Sequence, residues 1–282
     1  MTTRVNVLPG SFKLVRTRPF LLIGLLMLAS LLFVVFFAPK LTAYDPLKQD
    51  FGAILLPPSG MHPFGTDNFG RDVFARVLHG TSIDLRIGIL ALIFPFCFGV
   101  VIGAVAGYWG GIVDALLMRT VDVVTAFPFL VLVIAIVAFL GGGLTNMIIA
   151  ISAVGWVPYA RLVRAEVLVQ KSMEYVQAAR ILGFGRWRII LQHVLPNAIA
   201  PAFVFAVSDI MLIILTGSAL GFLGLGVKPP APEWGAMISE GRSFLYNGWW
   251  IATMPGLACL YTGITFTLLG DGLSDLLRVK GQ

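Results

Sequence analysis

Apolar residues fall along this chain in six long runs, separated by stretches that carry the charge. The first run, Pro19 to Ala38, follows a start containing Arg4, Lys13, Arg16 and Arg18 and no acid. It is too long for the apolar segment of a cleaved leader and has no small-residue cleavage pattern, so it reads as a retained span. Residues 39–86 are polar, and further apolar runs follow at Ile87 to Trp109, Thr125 to Leu140, Met147 to Tyr159, Ile199 to Gly226 and Trp249 to Leu269. A bilayer core about 30 Å thick takes about 20 apolar residues per helix, and the two shorter runs reach that length through mildly polar flanks. The pattern predicts an all-α membrane protein of six spans. The expected divisions are a tail at 1–18, the first span at 19–38, an outer loop at 39–86, a core of five spans at 87–277 interrupted by a loop at 171–197, and a second tail at 278–282.

Composition removes the main competing class. The chain is 58% apolar and 12% charged, against about 45–50% and about 25% in ordinary globular domains, so a water-soluble surface is excluded. Thirteen of the 20 Lys and Arg residues fall on the amino-terminal side of the alternating topology and seven on the other. That bias puts both termini in the cytoplasm. Trp109, Trp249 and Trp250 sit at span ends, as interfacial aromatics do. The net charge of +6 forms no stripe of its own and implies no nucleic-acid partner. Cys97 and Cys259 lie far apart inside apolar runs and read as small core residues.

Catalytic patterns are absent: there is no HExxH, no GxSxG and no Gly-Lys pair on which to build a phosphate loop. His62, His79 and His193 are scattered, so no metal site is expected. The loop after the fourth run is more informative. Ser172 is placed to cap a helix whose first turn holds Glu174, and Tyr175, Val176, Ala179 and Leu182 recur at helical spacing up to a stop at Gly183. A second short helix, Arg186 to Leu195, leads to Pro196 and the fifth span. By these residues alone the first helix either docks a partner through Ala178 and Ala179 or lies on lipid. In the outer loop, Thr66 and Asp67 are expected to cap a helix containing Asp72, Phe74, Val77 and Leu78, and Pro232 with Glu233 to open another running toward Leu245. Asp209 is the one acid deep within an apolar run. It either lines a water-filled path, with Ser208 beside it, or bonds to a neighbouring subunit.

Gln177-Ala178-Ala179, three residues, Gly183, nine residues and His193-Val194-Leu195-Pro196 resemble the EAA loop of bacterial ABC importer permeases. Gln177 stands where Glu is usual and His193 where Ile is usual, which removes a salt bridge from the first position. Further stretches resemble the second (C-type) permease of dipeptide, oligopeptide and nickel importers. They are His62-Pro-Phe-Gly-Thr-Asp67 with Gly70-Arg71-Asp72, Gly107-Tyr-Trp-Gly-Gly111 with Asp114, Ala219 to Gly226, Pro229 to Gly235, and Leu269 to Asp275.

The resemblance implies a type I importer permease fold and half of a translocation pathway for peptides in a bacterial inner membrane. It implies a homologous permease as the other half, two ATPase subunits that carry ATP and Mg²⁺, and an extracytoplasmic binding protein. The chain itself would hold no cofactor. Ser172, Glu174, Tyr175, Gln177, Ala178, Ala179, Gly183 and Pro196 would form the ATPase-coupling loop, with Asp209 and Ser208 in the pathway. Asp67, Arg71, Asp72, Glu233 and Trp234 would meet the binding protein. The rival readings are an ion-driven secondary transporter using Asp209 and a structural subunit without a path; no internal repeat supports the former.

Overall fold

The computed structural model describes residues 19–280 and is built from helices, with one isolated antiparallel bridge, Thr66 to Asp72, among the described residues. The tail at 1–18, with its four basic residues, and residues 281–282 lie outside that range. Helix α1 covers Pro19–Leu41 and packs on the last helix, α10 (Trp250–Lys280). Helix α2, Val73–Trp109, has 37 residues. At 1.5 Å per residue it is about 55 Å long, nearly twice the hydrocarbon thickness. The expected outer-loop helix and the second span are therefore one continuous rod, longer than the apolar layer is thick. Its cap is Asp72, whose Oδ1 accepts from the Ala75 N–H at 2.7 Å. Thr66 and Asp67, expected to cap it, lie upstream and brace the loop instead: Thr66 Oγ1 accepts from the Leu56 N–H at 2.8 Å and Asp67 Oδ1 from the Phe69 N–H at 2.8 Å.

The third run, Thr125 to Leu140, begins at a break, and the stretch before it is itself helical. Helix α3 (Gly111–Thr125) and helix α4 (Phe129–Leu140) meet at a bend of 82°. Pro128 disfavours helical backbone at Phe127, and twelve residues of α4 rise only about 18 Å. Helix α3 is anchored to α5 (Leu144–Lys171) by Arg164, whose Nη2 donates to Asp114 Oδ2 at 2.6 Å, and by the exposed Arg161–Asp122 pair at 3.2 Å. Helix α6 (Glu174–Ile181) follows. Then α7 (Arg186–Ile189) passes through one widened turn, Ile190–Val194, into α8 (Leu195–Phe222) without a loop. Pro196 falls in the first turn of α8, where the missing N–H is tolerated. Helix α9 (Trp234–Gly241) has Glu233 as its cap and ends in the short turn Arg242–Phe244.

The most extensively packed helix pair is α2 with α5. A Cβ at Gly99 would stand 2.5 Å from the Trp156 carbonyl oxygen, one at Gly103 2.5 Å from that of Ala160, and one at Gly107 2.9 Å from that of Arg164. Each series advances by four residues, so the three glycines form a stripe along α2 against one face of α5. Small residues let membrane helices approach backbone to backbone. Gly103→Ala should therefore lower the melting temperature of the purified protein, because a methyl forced against backbone costs about 1–3 kcal/mol. Gly256→Ala, in open space within α10, should leave the melting temperature unchanged or raise it, since alanine favours helix by about 1 kcal/mol. Equal melting for both variants would remove the close-approach account.

Candidate functional site

Helix α6 is held by one face and bare on the other. Val176 and Ala179 are buried against Tyr108, Ile189, Ile190 and Val194, while Ile181 is 86% and Leu182 72% exposed. The helix ends in a paired hydrogen-bond closure: the Gly183 N–H donates to the Arg180 carbonyl at 3.0 Å and the Phe184 N–H to that of Ala179 at 3.2 Å. Gly183 has φ +79°, the left-handed value that this closure requires and that glycine adopts without strain. Tyr175 Oη donates to Gln170 Oε1 at 2.6 Å and accepts from Asn197 Nδ2 at 3.1 Å, tying α6 to the start of α8. Gln177 Nε2 donates to the Lys171 carbonyl at 3.0 Å. A glutamate there has no proton to donate at neutral pH, which gives the departure at this position a physical use.

Two expectations for this loop are corrected. Ala179 is not on an exposed docking face: it is 4% exposed and packs into the chain's own core, so Ala178 and the Ile181–Leu182 tip are the accessible surface. Ser172 does not open α6. It ends α5, its hydroxyl donating to the Val169 carbonyl at 2.7 Å, and Met173 takes the capping position without a side-chain bond. Glu174 lies in the first turn of α6 as expected, and Pro196 is exposed beside Asn197.

Midway along the spans, α2, α4, α5 and α8 enclose a cavity of about 510 Å³ whose lining is apolar apart from Asp209 and Thr216. Tyr159 Oη donates to Asp209 Oδ2 at 2.7 Å, linking α5 to α8. Pro95 of α2 and Pro158 of α5 both line this space. Pro95 cannot bond to the carbonyl of Ala91, and the Ser152 hydroxyl donates to that carbonyl at 3.2 Å instead. Ser208 is corrected as a lining residue. Its Oγ lies where a Cβ on Gly270 would be, 1.8 Å away, so it faces α10 and turns from the cavity.

At the opposite end from α6, the residues expected to touch a binding protein are interior. Asp67, Arg71, Asp72, Glu233 and Trp234 are all at most 3% exposed. Arg71 donates to Asp67 Oδ2 at 2.6 Å and to Glu240 Oε2 at 2.7 Å, and Arg76 lies within 3.6 Å of the same two acids. His62 pairs with Asp72 at 2.8 Å. Glu233 accepts from the Gly235 and Ala236 N–H groups at 2.7 and 2.8 Å, and the Trp234 N–H donates to Asp84 of α2 at 3.2 Å. Burial pushes the Glu233 carboxyl above the usual carboxylate range, while the two backbone donors pull it down. These groups bond mainly to one another, with Arg76 Nη2 and Asp84 Oδ1 left without a hydrogen-bond partner, and they carry a platform at this end. Its most exposed apolar points are Phe51, Met61 and Tyr246, which sequence reasoning missed because lone apolar residues in loops carry no periodic signal.

Residues 99–279 match the family of binding-protein-dependent transport system inner membrane components, and residues 13–58 match the N-terminal TM domain of oligopeptide transport permease C. The dipeptide transport system permease protein DppC of Alkalihalophilus pseudofirmus is 39% identical over 278 residues, covering 99% of this chain and 91% of that protein. The probable D,D-dipeptide transport system permease protein DdpC of Escherichia coli is 42% identical over 250 residues, 89% of this chain and 84% of that one. The glutathione transport system permease protein GsiD of Pectobacterium atrosepticum is 40% identical over 251 residues, 89% and 83% respectively. A chain of the inward-facing MetNI methionine ABC transporter shares the fold at TM-score 0.59 and 18% identity, over 72% of this chain and 95% of that one.

The two faces of α6 give opposite expectations for adjacent alanines. Ala179→Asp puts an unpaired carboxylate into the core beneath the helix, a cost of several kcal/mol, and should detach α6 and speed tryptic cleavage at Arg180 and Arg186. Ala178→Asp, on the exposed side, should leave the cleavage rate near that of the unsubstituted protein. Equal protection in both variants would contradict the packing of this helix.

Proposed function

The chain belongs to the family of binding-protein-dependent transport system inner membrane components, and from that premise we propose that it forms one half of a peptide pathway whose gate is worked through α6. It is a multi-pass permease subunit of a bacterial ABC importer, and ATP hydrolysis belongs to separate subunits of such importers. Membership sets aside the ion-driven and purely structural alternatives. A homologous permease supplies the second half of the pore in this reading. Two ATPase subunits hold ATP and Mg²⁺, and both termini face the cytoplasm.

The observation that carries the reading is α6 itself. An eight-residue helix with a bare apolar tip is fixed to the ends of α5 and α8, the two helices that also frame the central cavity. A push on Ile181 and Leu182 is thus delivered to the walls of that cavity. Each nucleotide state of the ATPase pair biases a two-state equilibrium between outward and inward arrangements. Peptide cargo is supported by the relatives named for dipeptides. The Asp209 carboxylate, in an otherwise apolar lining, offers a passing peptide's ammonium group a partner.

Ile181→Asp tests the coupling role: in the reconstituted importer, uptake should fall at least tenfold, the effect of about 1.4 kcal/mol lost at the docking contact, while the chain still inserts. Unchanged uptake together with unchanged copurification of ATPase subunits would refute the assignment. Asp209 is tested by charge. Asp209→Asn keeps the bond from Tyr159 but deletes the negative charge, so uptake of peptides with a free amino group should drop while subunit recovery holds. Asp209→Leu should also impair recovery, since Tyr159 is left unpaired at a cost of about 1–3 kcal/mol. Full uptake by the Asn variant would return Asp209 to a structural role.

A further inference from the structure

A second cavity, about 510 Å³, opens between the ends of α2 and α5 and the stretch joining α6 to α7. Three cations line it, Lys171, Arg180 and Arg186, together with the rings of Tyr108, Trp109 and Phe184, and no acid is among its lining residues. Among the described residues, none of the three cations is in an ion pair, and neither guanidinium has a hydrogen-bond partner. Lys171 Nζ donates to the Tyr108 carbonyl at 2.6 Å, which leaves two of its three N–H groups free. Arg188 adds a fourth positive charge at the rim, its guanidinium 4.3 Å from the Phe184 ring. The nearest acid on the same loop, Glu174, sits at the other end of α6.

The position of this cavity identifies the kind of anion. Trp109 is the last residue of α2, and its ring packs 4.9 Å from that of Trp187, which is 62% exposed. Indoles at a span end mark the level of the lipid headgroups, where anionic leaflets attract clustered Lys and Arg. The volume falls in the range of small-ligand sites, about 300–1,000 Å³. Guanidinium groups match phosphate oxygens in a two-point geometry, and a lysine adds a point charge.

We propose that this cavity binds the phosphodiester group of an anionic phospholipid, which ties the coupling loop, through Arg180 and Arg186, to the ends of α2 and α5. Only the placement of Trp109 at a membrane surface is required, so the idea stands or falls separately from the cargo.

The test uses the intact importer in nanodiscs, with phosphatidylglycerol as probe and lipid retention counted by native mass spectrometry. The unsubstituted complex should hold phosphatidylglycerol through delipidation and release phosphatidylcholine. Arg186→Gln should weaken retention about fivefold, the effect of one basic residue at an anionic surface, and Arg186→Lys should restore most of it. Copurifying ATPase subunits show that the variants still assemble. Equal retention by the unsubstituted and Arg186→Gln complexes overturns the proposal. Displacement of the lipid by inorganic phosphate reassigns the cavity to a soluble anion, and a carbodiimide crosslink from the Lys171 amine to an ATPase carboxylate in place of lipid reassigns it to a protein contact. Either of those results also overturns it.

Discussion

Lipid tails are as apolar as leucine, so burying side chains does little to hold two membrane helices together, and close backbone contact must do that work. In this permease the contact is the glycine stripe of α2, Gly99, Gly103 and Gly107, lying on the carbonyls of Trp156, Ala160 and Arg164 in α5. The remaining architecture hangs from that pair. At the end away from α6, α2 meets helix α9 through Asp84 and the Trp234 N–H. The other end of the pair places Tyr108 beside Val167, which forms the floor on which Val176 and Ala179 of α6 rest. A loosened α2–α5 seam would release both ends at once.

The same pair shapes the central cavity. Pro95 stands just beyond the stripe on α2 and Pro158 between Trp156 and Ala160 on α5, and each removes a regular helical hydrogen bond beside the cavity. Ser152 satisfies the carbonyl that Pro95 frees. Without that bond the freed carbonyl would face a nearly apolar space, at the cost of an unpaired buried polar group. Tight packing below and a supported irregularity above are therefore adjacent features of one helix pair, and Asp209 enters the resulting space from α8 with Tyr159 of α5 as its partner.

How far the sequence is legible follows from what each signal measures. Long apolar runs report lipid exposure, so the spans and their order were readable, and the motif from Gln177 to Pro196 located α6. The bend between α3 and α4 was hidden because Phe127 and Pro128 sit inside an unbroken apolar run. Apolar spacing in α6 identified Tyr175, Val176, Ala179 and Leu182 but not which of them turn inward, since a docking face is apolar too. Asp67, Arg71, Glu233 and Glu240 read as surface residues one at a time. Asp67, Arg71 and Glu240 are interior or half-buried because opposite charges meet, a pairing between positions up to 169 apart that no local pattern encodes, while Glu233 is buried on the backbone N–H groups of Gly235 and Ala236. The glycine stripe was legible in principle, through its spacing of four.

Helix α6 and the central cavity are joined through bonds that cross between α5 and α8. Near α6 the link is Tyr175, which binds both Gln170 of α5 and Asn197 of α8. At the cavity it is Tyr159 to Asp209. A displacement of α6 that slid α5 against α8 would have to stretch both links, whereas one that carried the two helices together would stretch neither. The part-buried Tyr159–Asp209 bond is expensive to leave unmade, whereas the exposed Tyr175 bonds can exchange with water, so the bond at the cavity is what favours rigid-body motion of α5 with α8. The seam that yields must then lie elsewhere around the cavity. Of the helices lining the cavity, α4 is the one held by the fewest buried side chains, Val133 and Val137, beyond the break at Pro128.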